Sequence, residues 1–237
     1  MTLLQNPYWL YPATAPSGFS IIQNQYIAGG NGSGGQSLTL TNSVTSGNSV
    51  IVVCSAPNSS TTTLNIAATI AGNAVTFTPA YIYVDSTNGI ALGFWYLNSV
   101  PAGSLAVTVS PTNYFNFTSL QIYETSPLIA SPVLATTQVT VASTVSPQTT
   151  IVNPATQTAR SFGVTAMGDN GNVNNATDSI TGGWVFDLNS LAGATNYAYT
   201  CAAHALIPAN TSPNCTWTIT GLATGKPEDY ATVLFGY

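Results

Sequence analysis

Residues 80–97 read AYIYVDSTNGIALGFWYL. Two runs rich in β-branched and aromatic residues flank DSTNG (85–89), and neither run has the i, i+3, i+4 apolar spacing of a helix. The reading is a hairpin whose aromatic side chains line one face. Just upstream, LNIAATI (64–70), a turn at Gly72-Asn73 and AVTFT (74–78) predict a second hairpin. The pattern extends outward in both directions. SLTLT (37–41) alternates, NSVIVVCSA (48–56) is a buried apolar run, and NSVPAG (98–103) turns the chain into SLAVTVS (104–110). FTSLQIYE (117–124) closes this half, and the Pro-punctuated TSPLIASP (125–132) leads into VLATTQVTVAST. TIVN, SFGVTAMG, GWVFDL, NYAYTCAAHALI, NCTWTIT and YATVLFGY follow. About a dozen short strands separated by Gly, Pro and Asn turns predict an all-β chain, an antiparallel β-sandwich or jelly roll.

Composition narrows the function. Of 237 residues, two are Lys or Arg and seven are Asp or Glu, where about sixty charged residues would be ordinary. Ser, Thr and Asn supply 79 residues. The chain is not disordered, because 45% of it is hydrophobic. Nucleic acid is excluded as a partner: phosphate binding needs clustered cations, and Arg160 and Lys226 stand alone. No apolar run is long enough to span a membrane. The opening MTLLQNPYWLYPATAP lacks both a basic start and an apolar segment, so no Sec signal is expected.

Residues 1–35 differ from the rest. Pro7, Pro12 and Pro16 stand among Tyr8, Trp9, Tyr11 and Phe19, and the stretch ends in GGNGSGG. This predicts an extended N-terminal arm and linker before a sandwich over 36–237, itself composed of strand-rich halves 36–132 and 133–237. The four aromatics are the expected anchors, since exposed rings on an extended segment gain from burial, on their own domain or against a neighbour.

A family resemblance is carried by Gly47-Asn48-x-Val-Ile-Val, Ile70-Ala-Gly72-Asn73-x-Val-Thr76, Gly93-Phe-Trp-Tyr96, Val100-Pro-Ala-Gly103-Ser-x-Ala-Val-Thr-Val109 and Leu120-x-Ile-Tyr-Glu124. Thr216-Trp-Thr218 followed by Ala231–Phe235 completes it. The pattern resembles a jelly-roll-like β-sandwich module of tailed-bacteriophage structural proteins and bacterial surface proteins. The resemblance implies fold more than function, and it implies no enzyme.

The residues themselves offer little chemistry. His204 sits in the apolar run CAAHALI and reads as a core or interface imidazole. Glycosidases need two carboxylates across a sugar bond. Here Glu228 and Asp229 are neighbours expected in a turn, Asp85 and Asp187 are strand-end residues, and Glu124 reads as a hydrogen-bonded cap. Gly30, Gly32 and Gly35 match GxGxxG, but a strand follows where a helix is required. Asp169, Asn170, Asn172 and Asp178 could offer oxygens to calcium, yet without an EF-hand glutamate they read as a solvated turn. Cys54 reads as a buried thiol. A hairpin centred on Pro208–Pro213 puts Cys215 opposite about Leu206, so a Cys201–Cys215 disulfide requires a shifted register. No cofactor or metal is expected.

A binding or structural role remains. The first expectation is a virion structural protein, a capsid decoration or head-fibre subunit. Its partners would be the major capsid protein or other virion subunits, and it would form a homo-oligomer, preferably a trimer. The alternative is a carbohydrate- or receptor-binding sandwich of a phage fibre or bacterial surface, for which the Asn-, Thr- and Tyr-rich loops would meet a glycan.

Overall fold

The computed structural model describes residues 18–27, 35–57, 63–111, 118–142, 147–169, 177–191, 199–220 and 227–237. Every regular element among them is a strand. The first nine are β1 (Ile21–Ile27), β2 (Gln36–Thr39), β3 (Ser49–Pro57), β4 (Leu64–Ile70), β5 (Asn73–Val75), β6 (Thr78–Asp85), β7 (Ile90–Leu97), β8 (Leu105–Pro111) and β9 (Ser119–Thr125). They form two antiparallel sheets, ordered β1-β9-β3-β7-β6 and β2-β8-β4-β5. Alternation along each strand sends one set of side chains between these sheets. Val50, Val52, Cys54, Ile70, Trp95, Val107, Leu120 and Ile122 make that core.

The remaining strands are β10 (Val133–Ala142), β11 (Gln148–Ile151), β12 (Ser161–Asp169), β13 (Thr177–Thr181), β14 (Val185–Leu191), β15 (Tyr199–Ile207), β16 (Thr216–Thr220) and β17 (Pro227–Gly236). Their sheets are ordered β10-β17-β12-β15-β14 and β11-β16-β13. Met167, Cys201, Ile207, Trp217, Tyr230 and Leu234 fill the space between them. The two halves repeat one topology. Replacing β1, β9, β3, β7 and β6 by β10, β17, β12, β15 and β14 converts one five-stranded sheet into the other, and β2-β8-β4 becomes β11-β16-β13. Only β5 lacks a counterpart among the described residues.

A third core joins the halves. Ile51, Val53, Leu92, Phe94 and Tyr123 of the first five-stranded sheet pack on Phe162, Val164, Ala166, Val233 and Phe235 of the second. Both sheets are therefore apolar on both faces, which is why β3, β7, β12 and β17 read as near-continuous buried runs. At the centre β3 lies on β12, where the Ser55 hydroxyl donates to the Met167 carbonyl at 2.9 Å. Gly168 permits that approach, because a Cβ there would stand 2.9 Å from both Ile90 Cγ2 and Ser55 Oγ. On either side, Asn24 of β1 meets Asp187 of β14 and Tyr83 of β6 meets Thr140 of β10. The rings of Tyr123 on β9 and His204 on β15 touch, as do those of Tyr96 on β7 and Phe235 on β17. Exchanging the halves maps these strand pairs onto one another, β1–β14 onto β10–β6 and β9–β15 onto β17–β7, so the chain is a covalent pseudo-two-fold dimer at the level of its strands.

Three local readings change. Ile21–Ile27, inside the stretch read as an arm, is an edge strand. Its inward amides are satisfied by the domain: Gln23 donates to Glu124 and Gln25 accepts from Thr41. The β4–β5 turn is Ala71-Gly72, both with positive φ as a two-residue hairpin loop requires. The Pro208–Pro213 stretch is no hairpin but the crossing from β15 in one sheet to β16 in the other. Trp184 Nε1 donates to the Pro213 carbonyl and Val152 N to the Cys215 carbonyl, which carries the chain across.

The shared core predicts joint unfolding. Phe162→Ala, at a fully buried ring between the sheets, should cost about 3–5 kcal/mol. Amide exchange should then accelerate in β3 and β7 as well as in β12. Loss of protection confined to residues 147–237 would show the halves to be independent.

Candidate functional site

Most polar chemistry lies along the two flanks of the seam between the halves. On the first flank Asp187, projecting at a bulge in β14, is an acceptor for three donors. Tyr123 Oη donates to Oδ2 at 2.6 Å, His204 Nδ1 lies 2.6 Å from the same oxygen, and Asn24 Nδ2 donates to Oδ1 at 3.1 Å. A carboxylate can only accept, so the bond assigns the proton to Nδ1 of His204. The Asp187 side chain is 4% exposed and that of His204 13%. Burial, with the Asp187 charge beside it, pushes the Tyr123 phenol well above its ordinary value, so it stays a donor. The imidazole also packs against the rings of Tyr123 and Phe162. An acid holding an imidazole in one tautomer is two-thirds of a hydrolytic triad. Among the described residues, however, no side chain bonds the other ring nitrogen. Two donors to Asp187, the Tyr123 phenol and the Asn24 amide, come from the opposite half, so its carboxylate ties the halves together.

The second flank is the symmetry counterpart with different chemistry. Thr140 of β10 donates to Asp229 Oδ1, and Tyr83 shares a 3.0 Å bond with Thr140. Asp229 and Glu228 belong to β17, not to a turn, and both are fully buried. As strand neighbours they point to opposite faces. Asp229 enters the seam, whereas Glu228 lies with Tyr230, whose hydroxyl donates to it. Burial raises Glu228 from 4.5 to about 7, against the pull of that hydrogen bond. Burial raises Asp229 from 3.8 to about 6, with the Asp85 charge adding to the rise and Thr140 opposing it. Neither Glu228 Oε1 nor Asp229 Oδ2 has a hydrogen-bond partner.

The other singled-out residues are also held by the fold. Glu124, fully buried, accepts from Thr45 N and Asn48 Nδ2 on one oxygen and from Gln23 Nε2 on the other. Asp85 closes the β6–β7 turn by accepting from the Thr87 and Asn88 amides. Cys54, Cys201 and Cys215 are buried and none of them is in a disulfide, so the Cys201–Cys215 pair is not bridged. Burial pushes the Cys54 and Cys215 thiols up to about 12. Asp169 ends β12 and is buried, while Asn170 and Asn172 lie outside the described residues. So do Tyr8, Trp9 and Tyr11. Phe19 is 4% exposed, stacked at 4.0 Å on Tyr237 and tilted against Phe162 at 5.5 Å. It packs into the seam of its own chain.

Symmetry exposes a feature that single-residue reading misses. Gln121, Val53 and Phe94 form one cross-strand row of the first half, and Val233, Val164 and His204 form its counterpart in the second. Gln121 is 1% exposed and neither its amide nitrogen nor its oxygen has a partner. No family model matches the chain, and no curated protein matches it.

Two outcomes follow from these environments. Gln121→Leu removes an unsatisfied buried amide at nearly constant volume and should stabilise the fold by about 1–3 kcal/mol in urea titration. The two β17 acids set the pH response. Their folded values, about 7 and about 6, exceed their ordinary ones, so the folded chain binds protons more tightly than the unfolded chain. That stabilisation is complete below about pH 4 and is lost as pH rises through 6 and 7. Thermal melting should be higher at pH 5 than at pH 8, and Glu228→Gln with Asp229→Asn should flatten the difference.

Proposed function

We propose that this chain is a structural subunit of a virus particle, a capsid decoration or head-fibre protein that attaches through the residues preceding β1. The observation that carries the reading is where the ionisable groups go. Glu124, Asp85, Asp187, Asp229 and His204 each bond a loop, a turn or the seam. The outer face of β2-β8-β4 presents Ser37, Thr39, Asn65, Ala67, Thr69, Ala106, Thr108 and Ser110, with no charge among them. The outer face of β11-β16-β13 presents Thr149, Ile151, Ser179, Thr181, Thr216 and Thr218. Such faces give little electrostatic steering. They suit a subunit placed by assembly rather than one that captures charged ligands from solution. The strand order of each half, in which the chain passes repeatedly between two sheets, supports the jelly-roll reading. The family resemblance, to modules of tailed-phage structural proteins and of bacterial surface proteins, is compatible with this reading.

Phe19 and β1 belong to the folded body, so the attachment proposed here is assigned to residues 1–17. A chain lacking residues 1–17 should keep its far-UV circular dichroism and melting temperature. On incubation with particles lacking the protein, it should fail to bind where the full chain restores a uniform copy number. Full-affinity binding by the truncated chain would move attachment to the sandwiches, and the reading through these residues would fall.

A further inference from the structure

Sheet edges invite further pairing unless they are short, bulged, charged, interrupted by proline or covered. Four edges of this molecule are short: β2, β5, β11 and β13. Of the long ones, β6 carries Pro79, a bulge between Pro79 and Tyr81, and Asp85 at its end. A bulge between Phe186 and Leu188 interrupts β14, which also carries Asp187. β1 is bulged between Ile21 and Gln23, and the Asn42 carbonyl and Thr41 amide are bonded to its glutamines. Its symmetry counterpart β10 is bulged at the matching place, between Val133 and Ala135, but runs on regularly beyond it. Val133–Ala142, VLATTQVTVA, is ten residues long and contains no charge and no proline. From Thr136 to Ala142 it pairs with β17 without interruption, and among the described residues no strand pairs with its other side.

We propose that β10 is the interface by which two copies of this chain associate, edge to edge and antiparallel across a two-fold axis, joining two five-stranded sheets into one of ten strands. A second copy fits this edge for a specific reason. Around a two-fold axis the strand pairs with itself in reverse, so a charged residue at or beside the axis would lie close to its own copy. VLATTQVTVA carries none, and Thr, Val and Gln are good cross-strand partners for one another. The ladder is regular over the seven residues needed to zip without a register change. This contact goes beyond attachment through residues 1–17 and does not depend on it. It gives a two-fold pair where a trimer is expected from the sequence.

The test is sedimentation velocity on the full chain over a wide concentration range, with amide exchange of the same samples. The wild-type chain should dimerise reversibly, and exchange within 133–142 should slow as concentration rises. Thr136→Lys with Gln138→Lys places two lysines on each edge and should weaken dimerisation by about tenfold or more. Asn65→Lys, on the outer face of β4, should leave it unchanged. Unaltered circular dichroism would show that the double variant folds. If it does not fold, the concentration dependence of exchange in the wild-type chain decides. A chain that stays monomeric, forms a trimer, or dimerises equally well with the lysines and without concentration-dependent protection of 133–142 would overturn the proposal.

Discussion

Everything in this molecule hangs on the burial of two β-sheets against each other through faces that are both apolar. A sheet in an ordinary two-layer sandwich hides one face and wets the other. Here the two five-stranded sheets are covered on both sides, by their own partner sheet and by each other. A chain this poor in charge has few side chains suited to solvate four wide sheet faces. Stacking the layers leaves two outer faces to be wetted, and Ser, Thr, Ala and Asn are sufficient for that. The same stacking explains how so many aromatic side chains are accommodated: Trp95 and Trp217 fill the two outer cores, while Phe94, Tyr123, Phe162 and Phe235 fill the central one.

The halves behave as an isologous dimer whose subunits share one chain, and this removes a restriction that binds true homodimers. In a homodimer both flanks of the interface must be chemically the same. Here they have diverged. One flank closes on Asp187 with a phenol, an imidazole and an amide as donors. The other closes on Asp229 with Thr140 as donor and one carboxyl oxygen left bare. Burial of Asp229, with the Asp85 charge nearby, raises its value above that of an ordinary carboxyl.

The hairpin at 80–97 and the runs at 48–56, 104–110 and 117–124 were readable from alternation and turn residues, and they fixed the fold class. The duplication was not readable. A pleated sheet constrains only which face a side chain takes and roughly how large it is, so equivalent positions hold Ile51 and Phe162, Phe94 and His204, or Gln121 and Val233. Periodicity survives such exchanges and residue identity does not. β1 was hidden for a related reason: IIQNQYI offers amides on the inward face, and only Glu124 and the 41–42 loop, distant in sequence, make that tolerable. Glu228 and Asp229 misled because adjacent acids ordinarily mark a solvated turn. Their burial requires Tyr230, Thr140 and the covering sheets, none of which local sequence reveals. His204 was legible as a core or interface imidazole from its apolar neighbours, whereas its bond to Asp187 depends on the bulge in β14.

The divergence of the flanks also bears on how the halves stay together as conditions change. As pH rises through the value of Asp229, a second negative charge appears near Asp85 on the β6–β10 flank, with little to solvate it. The opposite flank already holds its acid with three donors, and the Phe19, Tyr237 and Phe162 rings lie at the end of the seam where β1 begins. The electrostatic cost of high pH in the seam therefore falls on the flank between β6 and β10. Thr140, which bonds Asp229 inside the seam, belongs to β10, the strand for which edge pairing is proposed, so both features fall on the same ten residues.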